Sequence, residues 1–265
     1  MPQSIPQSIY SDSSIVKQYS SIDDVIRVLD EIIKDATNKN NFMGVFAYLY
    51  RRTTQEIRNE IAKGSFDDNG RMEKFDIEFA NFYISAYKSF HEGERISRAW
   101  EISFRAASDR ISILQHMLLG MNAHINLDLG IAAAKVMHGK DIDELENDFM
   151  RVNQILAGLI DEMQNRIARV SRLMKLIDWL GGRQDEKLVS LNINKARNNS
   201  WLIAKELWKM NEMEMELRKK QLDEEVTRLG FSILRPKFLP MHWCLKVISI
   251  FEDKSVQRII YKLED

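Results

Sequence analysis

Apolar side chains recur every three or four residues along most of the chain, and few stretches alternate strictly between apolar and polar residues. That spacing places apolar groups on one face of an α-helix, whereas a half-buried strand would alternate. The prolines agree with this pattern, because all four lie near the chain ends and residues 7–235 contain none. Proline is the residue that most reliably breaks a helix. The pattern therefore predicts an all-α protein.

The same pattern divides the chain into successive helices. The first is expected to follow Ser21, whose hydroxyl can cap it, and the next two are expected to end at Gly64 and Gly93. A short helix around residues 96–108 and a helix from about Ser108 to Leu129 should follow. Beyond them we expect one or two long helices over residues 141–180, stopped by Gly181 and Gly182, and a last long helix over roughly residues 185–229.

We expect three regions along the chain. Residues 1–20 should form a flexible tail, residues 21–235 a single multi-helix bundle, and residues 236–265 a helical extension packed on that bundle. In the extension, MHWCLKVISIFED and KSVQRIIYKLED are typical of short helices, although VISIF also fits a strand. The central, buried helix of the bundle should be the one at about 108–129, because its apolar flank and two polar stripes leave little surface to face water.

Composition narrows the range of functions. Apolar residues make up 45% and charged residues 29% of the chain, which is usual for a soluble protein. The net charge of -1 provides no overall attraction for nucleic acid, so we expect no nucleic-acid partner. One cysteine excludes an internal disulfide. The start of the chain lacks the features of a signal peptide, and no apolar run is long enough to span a membrane, so we expect a cytoplasmic protein. A homo-oligomer stays open.

Candidate chemistry is concentrated in QHMLLGMNAHINLDLG, residues 115–130. On a helix, Asp109, His116, His124 and Asp128 share a stripe about 120° wide. His124 and Asp128 are four residues apart, so both can reach one cation, and zinc, iron or manganese would suit a nitrogen and oxygen donor pair. His116 is a weaker candidate ligand because it lies about 12 Å from His124 along the helix axis. The alternative is that His124 and Asp128 hydrogen-bond each other within the core.

A second polar stripe of the same helix carries Asn122 and Asn126. Each amide offers two donors and an acceptor, so the pair can tie neighbouring helices together or contact a substrate. The charge-rich segment EMEMELRKKQLDEEVTR, by contrast, is typical of a solvated helix face, because opposite charges three and four residues apart support a helix without any partner.

Several separated stretches together resemble a bacterial helical family known only as a domain of unknown function, number fifty-nine ninety-five. They are FMGVFAYLYRRTT, GSFDDNGRMEKFDIEFANFYISAY, ISRAWEISF, LQHMLLGMNAHINLDLGIA and KARNNSWLIAKEL, and they span about residues 40–207. The resemblance implies an all-helical domain whose shared polar positions cluster around the histidine motif. Those positions are Asp67, Asp68, Arg71, Asp76, Asn81, Asp148, Asn153, Arg197 and Trp201. The resemblance implies no activity.

Arg197 and Trp201 are also four residues apart. Together they suit a phosphate or carboxylate on an otherwise apolar ligand, because a guanidinium would lie beside an aromatic wall. Alternatively, Arg197 bridges to an aspartate between residues 67 and 76 or to Asp148, and Trp201 belongs to the core. In either arrangement a buried guanidinium needs an acidic partner or an anion nearby.

These observations lead to one leading hypothesis and two alternatives. The leading one is an enzyme acting on a small organic molecule in a buried polar pocket, with His124 and Asp128 as catalytic residues and a divalent metal as a candidate cofactor. Arg197, Trp201, Asn122, Asn126 and Asn81 would contact the substrate. The first alternative is a non-catalytic binding protein for an amphiphilic small molecule. The second is a structural domain that associates through its charged helix and terminal segments.

Overall fold

The computed structural model describes residues 19–156 and 193–264, and within those ranges every regular element is helical and none is a strand. The expected tail and the helix ends at Gly181 and Gly182 lie outside the described residues, apart from Tyr19 and Ser20. The all-α prediction is confirmed. The helices are α1 (Ile22–Asn38), α2 (Met43–Ala62), α3 (Asn69–His91), α4 (Arg98–Ala106), α5 (Ile113–Ala123), a π-helical turn (His124–Asp128), α6 (Leu129–Val136), a 3-10 turn (Ile142–Leu145), α7 (146–156), α8 (Ile193–Trp208), α9 (Glu212–Leu234), α10 (Leu239–Phe251) and α11 (Val256–Glu264).

Local sequence signals account for the first helix boundaries. The Ser21 side chain accepts a hydrogen bond from the backbone N–H of Asp24 at 3.1 Å, as expected of a cap. Asp68 caps α3 in the same way through the N–H of Arg71, so the turn-like SFDDNG stretch already contains the start of that helix. Gly64 and Gly93 follow α2 and α3 with φ of 73° and 76°, a conformation in which glycine alone is unstrained.

The central helix begins later than the sequence pattern predicts. Residues 108–110 are exposed, and α5 starts only at Ile113, where Ser112 and Gln115 form a reciprocal capping box. Asp109 therefore lies before the helix and outside the predicted stripe of metal ligands. From Ile113 to Ala134 the segment is largely buried, as expected, because α2, α4 and α9 pack against α5 while α3 and α8 pack against α6.

The prediction of one long helix over residues 185–229 is wrong for residues 193–229, which are the part of that range that the structure describes. The helix ends at Trp208, and Asn211 opens α9 with a second capping box that involves Glu214. The indole N–H of Trp208 bonds to the carbonyls of Met137 and Lys140, which anchors the end of α8 to the loop after α6. The VISIF segment is helical within α10, so the strand alternative is also wrong.

The last helix, α11, lies against α2 and α5. Val256, Ile259, Ile260 and Leu263 form an apolar cluster with Val45, Tyr48, Ile113 and Met117. The Tyr48 hydroxyl donates a 2.9 Å hydrogen bond to the carbonyl of Leu263. Across all described residues, no helix combines the length and the apolar character needed to cross a membrane.

Candidate functional site

The helix that carries the histidine motif changes its hydrogen-bond pattern at that motif. Between His124 and Asp128 the backbone forms a π-helical turn, in which the N–H of Leu129 bonds to the carbonyl of His124 five residues earlier. Ser200 on α8 donates from its hydroxyl to the carbonyl of Ile125 at 2.6 Å, so a side chain from a neighbouring helix supplies a partner inside this loosened turn. Single π turns inside α-helices occur often at functional sites.

His124 and Asp128 form a buried pair within this turn. The Nδ1 atom of His124 lies 3.3 Å from Oδ2 of Asp128, and the indole N–H of Trp100 donates to the same oxygen at 2.9 Å. Because Oδ2 already accepts from Trp100, it also favours the tautomer of His124 with the proton on Nδ1, which leaves Nε2 as a hydrogen-bond acceptor. Nε2 of His124 has no hydrogen-bond partner in the described part of the chain.

Aromatic rings surround His124. Its ring stacks on Phe79 with centroids 3.6 Å apart, and Tyr50 stands edge-on at 4.3 Å. Burial, and secondarily the charge of Arg197, hold the pKa of His124 well below its usual value, so the imidazole is neutral. Burial raises the pKa of Asp128 well above its usual value, against the opposing effect of the hydrogen bond from Trp100.

The His124 ring contributes to the wall of a pocket of about 180 Å³, which we call the His124 pocket. Its walls come from α2, α3, α7, α8 and the helix through His124, and most of the side chains are apolar. The lining residues are Phe46, Leu49, Tyr50, Arg52, Thr53, Thr54, Ile57, Met72, Phe75, Asp76, Phe79, Met121, His124, Ile125, Leu129, Val152, Leu156, Ile193 and Arg197.

Asp76 and Arg197 are the charged residues buried in this wall. Burial raises the pKa of Asp76 to about 7, while the nearby charge of Arg197 works in the opposite direction. Within the described ranges, Oδ2 of Asp76 has no hydrogen-bond partner. Burial likewise lowers the pKa of Arg197 to about 9, and Asp76 counteracts that shift. The pocket thus holds a carboxyl group that titrates close to neutral pH.

The guanidinium of Arg197 is held by α7. Its Nε donates to the side chain of Asn153, a terminal nitrogen donates to the carbonyl of Phe149 at 3.2 Å, and the group lies 4.7 Å from the Phe149 ring centroid. The acidic neighbour expected from the sequence is Asp76, which acts through its charge without a direct hydrogen bond. Asp148 is engaged by Arg71 at 2.9 Å and by the backbone of residues 67 and 68, so it is not the partner of Arg197.

The structure does not bring the other predicted contacts to the pocket. Asn122 donates to the carbonyl of Val226 on α9 and accepts from Asn126, an arrangement that ties two helices together. Trp201 packs on Phe149 with centroids 4.9 Å apart, in the core behind Arg197. Asn81, on α3, is also absent from the lining.

His116 lies on α5 outside the pocket lining, and its ring stacks on Phe42 with centroids 4.6 Å apart. It shares no site with His124 and Asp128. Among residues 19–156 and 193–264, no three His, Cys, Asp or Glu side chains stand close enough together to hold a metal ion. His124 and Asp128 are therefore two candidate metal ligands without a third such side chain close to them among the described residues.

Sequence reasoning missed the pocket roles of Asp76, Tyr50 and Thr54, and of Asn153 as the residue that orients Arg197. The resemblance did single out Asp76 and Asn153, without a role. A signal for Asp76 was present, because it occupies the same apolar face of α3 as Met72, Phe79 and Tyr83, which are all buried. An aspartate inside such a face is either paired or reserved for a ligand.

The fold and the site together define an all-helical protein with a mostly apolar pocket into which a few buried titratable groups are set. A family model described as a family of unknown function, DUF5995, matches residues 22–236, and the chain belongs to this family. The match extends through every element that lines the pocket and ends before α10. Neither a curated protein nor a solved structure matches the chain.

Proposed function

We propose that the protein is an enzyme acting on a small, mostly apolar molecule that carries a hydroxyl group, bound in the His124 pocket. The observation that carries this proposal is the unpartnered Nε2 of His124, a neutral acceptor on a side chain that lines a mostly apolar pocket. Leaving such an atom buried without a partner costs about 1–3 kcal/mol. Deficits of this kind are expected where a ligand supplies the missing bond.

The pocket volume limits the ligand. At about 180 Å³ it is slightly larger than the cavities of roughly 150 Å³ that hold one benzene molecule. A single ring or a short branched chain with one polar substituent would fill this volume. The rings of Phe46, Phe75 and Phe79 favour an aromatic or aliphatic body for the ligand.

His124 and Asp128 would carry the proton transfer. In this step the O–H bond of the ligand breaks, its proton forms a new bond to Nε2, and Oδ2 of Asp128 stabilises the resulting imidazolium by accepting from Nδ1–H. The electrons of the broken bond remain on the ligand oxygen as an oxyanion. Arg197, whose charge already acts on His124, would stabilise that oxyanion.

One observation favours non-catalytic binding as a second candidate. Burial and the charge of Arg197 make His124 a weak base, as the lowered pKa of its ring shows. A ring of this kind can accept a hydrogen bond from a ligand hydroxyl without ever taking the proton. The two candidates therefore differ in the protonation of His124 when the pocket is occupied.

The matched probes 4-fluorophenol and fluorobenzene test both candidates, since they share a ring and differ in one hydroxyl. We expect 4-fluorophenol to bind at least tenfold more tightly, and we expect that preference to disappear in His124→Phe and to persist in His116→Phe. The second variant is the control, because it changes a buried histidine of the same helix that does not line the pocket. Equal affinity for the two probes would contradict a role for Nε2.

Nuclear magnetic resonance of the bound probe distinguishes catalysis from binding. For an enzyme, a strongly acidic phenol such as pentafluorophenol should be bound as phenolate by its fluorine signals, and the nitrogen signals of ¹⁵N-labelled His124 should then show protons on both ring atoms. A neutral His124 beside this acidic phenol would contradict the enzyme and favour the non-catalytic candidate. Failure of both probes to bind would contradict both candidates.

A further inference from the structure

One side of α10 exposes large apolar side chains. Leu239, Trp243, Val247 and Ile250 recur at the spacing of a single helix face, and Phe251 adjoins them at the end of the helix. Trp243 exposes 60% of its surface, Leu239 69% and Phe251 75%. We call these five residues the α10 face. A contiguous patch of large, exposed apolar side chains marks an interaction site.

The opposite side of the same helix is anchored to the protein. Met241, Cys244, Leu245 and Ile248 are buried and pack together with Leu114. The helix is therefore apolar on both sides, and only one of these sides packs against other residues of the described chain. A helix that served only the core would turn polar side chains outward.

The charged residues along the segment that carries the α10 face are all basic. From Arg235 to Phe251 the sequence contains Arg235, Lys237 and Lys246 and neither aspartate nor glutamate. All three basic residues are exposed, and the ammonium group of Lys246 lies 5.3 Å from the ring centroid of Trp243, in the middle of the face.

The acidic residues that follow are engaged elsewhere. Glu252 is buried and accepts a hydrogen bond from the backbone N–H of Ile113, and Asp253 pairs with Arg258 and Lys262. The chain segment that carries the α10 face is consequently cationic. A binding surface complementary to the α10 face would have an apolar interior and negative charge at its boundary.

We propose that the α10 face binds the surface of an anionic lipid membrane, with Trp243, Ile250 and Phe251 inserted at the level of the headgroups. Aromatic and aliphatic side chains on one face with lysine and arginine beside them are the features of helices that lie in this interface. Each basic residue near an anionic surface strengthens binding about fivefold. This mode places α10 on the membrane rather than across it, and it does not depend on the proposed ligand of the His124 pocket.

A second copy of the chain fits the α10 face less well. In a two-fold symmetric contact the same residues meet from both sides, so Lys246 at the centre would approach its own counterpart. No acidic side chain lies on the face to neutralise the two ammonium groups. Phosphate and carboxylate groups of anionic lipids would provide that neutralisation.

Flotation of the full chain with vesicles tests the proposal. One set of vesicles contains phosphatidylcholine alone, and the other contains 30% phosphatidylserine. We expect at least tenfold stronger binding to the anionic vesicles, a loss of about tenfold in Trp243→Ser/Phe251→Ser, and a loss of about fivefold in Lys246→Gln. These positions are exposed, so circular dichroism should show unchanged folding.

Met213→Ser is the matched control, because Met213 is 81% exposed on α9, outside the α10 face, and its replacement should leave vesicle binding unchanged. Failure to bind either vesicle overturns the proposal. Equal loss of binding in Met213→Ser also overturns it. A dimer in sedimentation velocity that disappears in Trp243→Ser/Phe251→Ser, without vesicle binding, would instead assign the face to a second copy.

Discussion

His124 and His116 are two buried histidines on one helix, and their surroundings give them different roles. His124 has a carboxyl group beside Nδ1 and a pocket beside its ring. His116 stacks on Phe42, and burial alone lowers its pKa to about 3. The contrast shows how little the residue type determines by itself, because the second hydrogen-bonding group and the adjoining space decide what a histidine can do.

Asp128→Leu should release the proton of His124 from Nδ1. Oδ2 of Asp128 faces both Nδ1 and the indole N–H of Trp100, so leucine removes the acceptor that holds the proton on Nδ1, and the ring proton can move to Nε2. Nitrogen NMR of labelled histidine should show Nε2 changing from the unprotonated to the protonated form. The preference for 4-fluorophenol over fluorobenzene should fall at the same time.

An unchanged Nε2 signal in Asp128→Leu would contradict the assigned tautomer. Leu127→Ala is a useful comparison, because it alters the same turn at a buried apolar position and leaves the His124 and Asp128 pair intact. It should cost stability, by roughly 2–5 kcal/mol, without moving the ring proton.

His116 should contribute to unfolding at low pH. Its folded-state pKa of about 3 lies below the usual 6.5, so the unfolded chain takes up the proton first as the pH falls. Stability is therefore fully present above about pH 6.5 and is lost as the pH falls toward 3. Replacing His116 by Phe keeps the stack on Phe42 and removes this contribution.

Urea denaturation at pH 7 and pH 4 measures the effect. The loss of unfolding free energy between these values should be smaller in His116→Phe than in the wild type, by roughly 2–3 kcal/mol. His138→Phe is the control, because it replaces a histidine that is exposed rather than buried. An equal pH dependence in wild type and His116→Phe would contradict the buried, neutral state of this ring.

At the scale of elements, close helix contacts position the site. A Cβ atom on Gly120 would lie 2.3 Å from the Phe46 ring, and one on Gly130 would lie 2.8 Å from the backbone carbonyl of Ser200. The two glycines thus let α2 and α8 approach the central helix on either side of the π turn. The same approach brings Ser200 to the carbonyl of Ile125 and Arg197 to the pocket.

Gly130→Ala should push α6 and α8 apart, because the obstructing atom belongs to a backbone that cannot rotate away. We expect a loss of about 1–3 kcal/mol in unfolding free energy, measured by chemical denaturation. Gly230→Ala is the matched control on α9, where a Cβ atom would meet nothing closer than 3.5 Å. That variant should gain about 0.5–1 kcal/mol from better helix propensity. Equal effects at the two sites would contradict the close contact.

At the scale of the whole molecule, the C-terminal helix completes a core whose other members come from early in the chain. The family match ends at residue 236, yet α11 covers Val45, Tyr48, Ile113 and Met117. Glu252 also accepts a hydrogen bond from the first residue of α5. Residues beyond the family match thus contact the two helices that form one side of the pocket.

Removal of residues 236–265 should therefore destabilise the remaining bundle. Fully exposing the four apolar side chains that α11 covers would cost about 6–12 kcal/mol, since each buried side chain contributes about 1.5–3 kcal/mol. Thermal unfolding should show a clearly lower midpoint. Tyr48→Phe, which removes the hydroxyl that donates to the carbonyl of Leu263, should cost about 1 kcal/mol. A truncated chain as stable as the full one would show that the extension is dispensable.

The features predicted correctly from the sequence are those that depend on neighbours along the chain. Helical spacing and the position of the prolines gave the all-α class. The cap at Ser21 involves an atom only three residues away. The proximity of His124 and Asp128 also follows from local geometry, because residues four apart lie on one side of a helical turn. Such interactions need no knowledge of the rest of the fold.

Tertiary structure decided which polar groups share a pocket. Asp76, His124 and Arg197 are separated by dozens of residues, and only the packing of α3 and α8 around the π turn brings them to one wall. The sequence also did not determine which neighbouring helix each polar stripe would face, since helical periodicity gives the face of a side chain and not the neighbour of that face. Asn122 therefore pairs with the backbone of α9, whereas Asp76, on an apolar face, lines the pocket. Periodicity fixes the face of a side chain, and long-range packing determines what lies opposite.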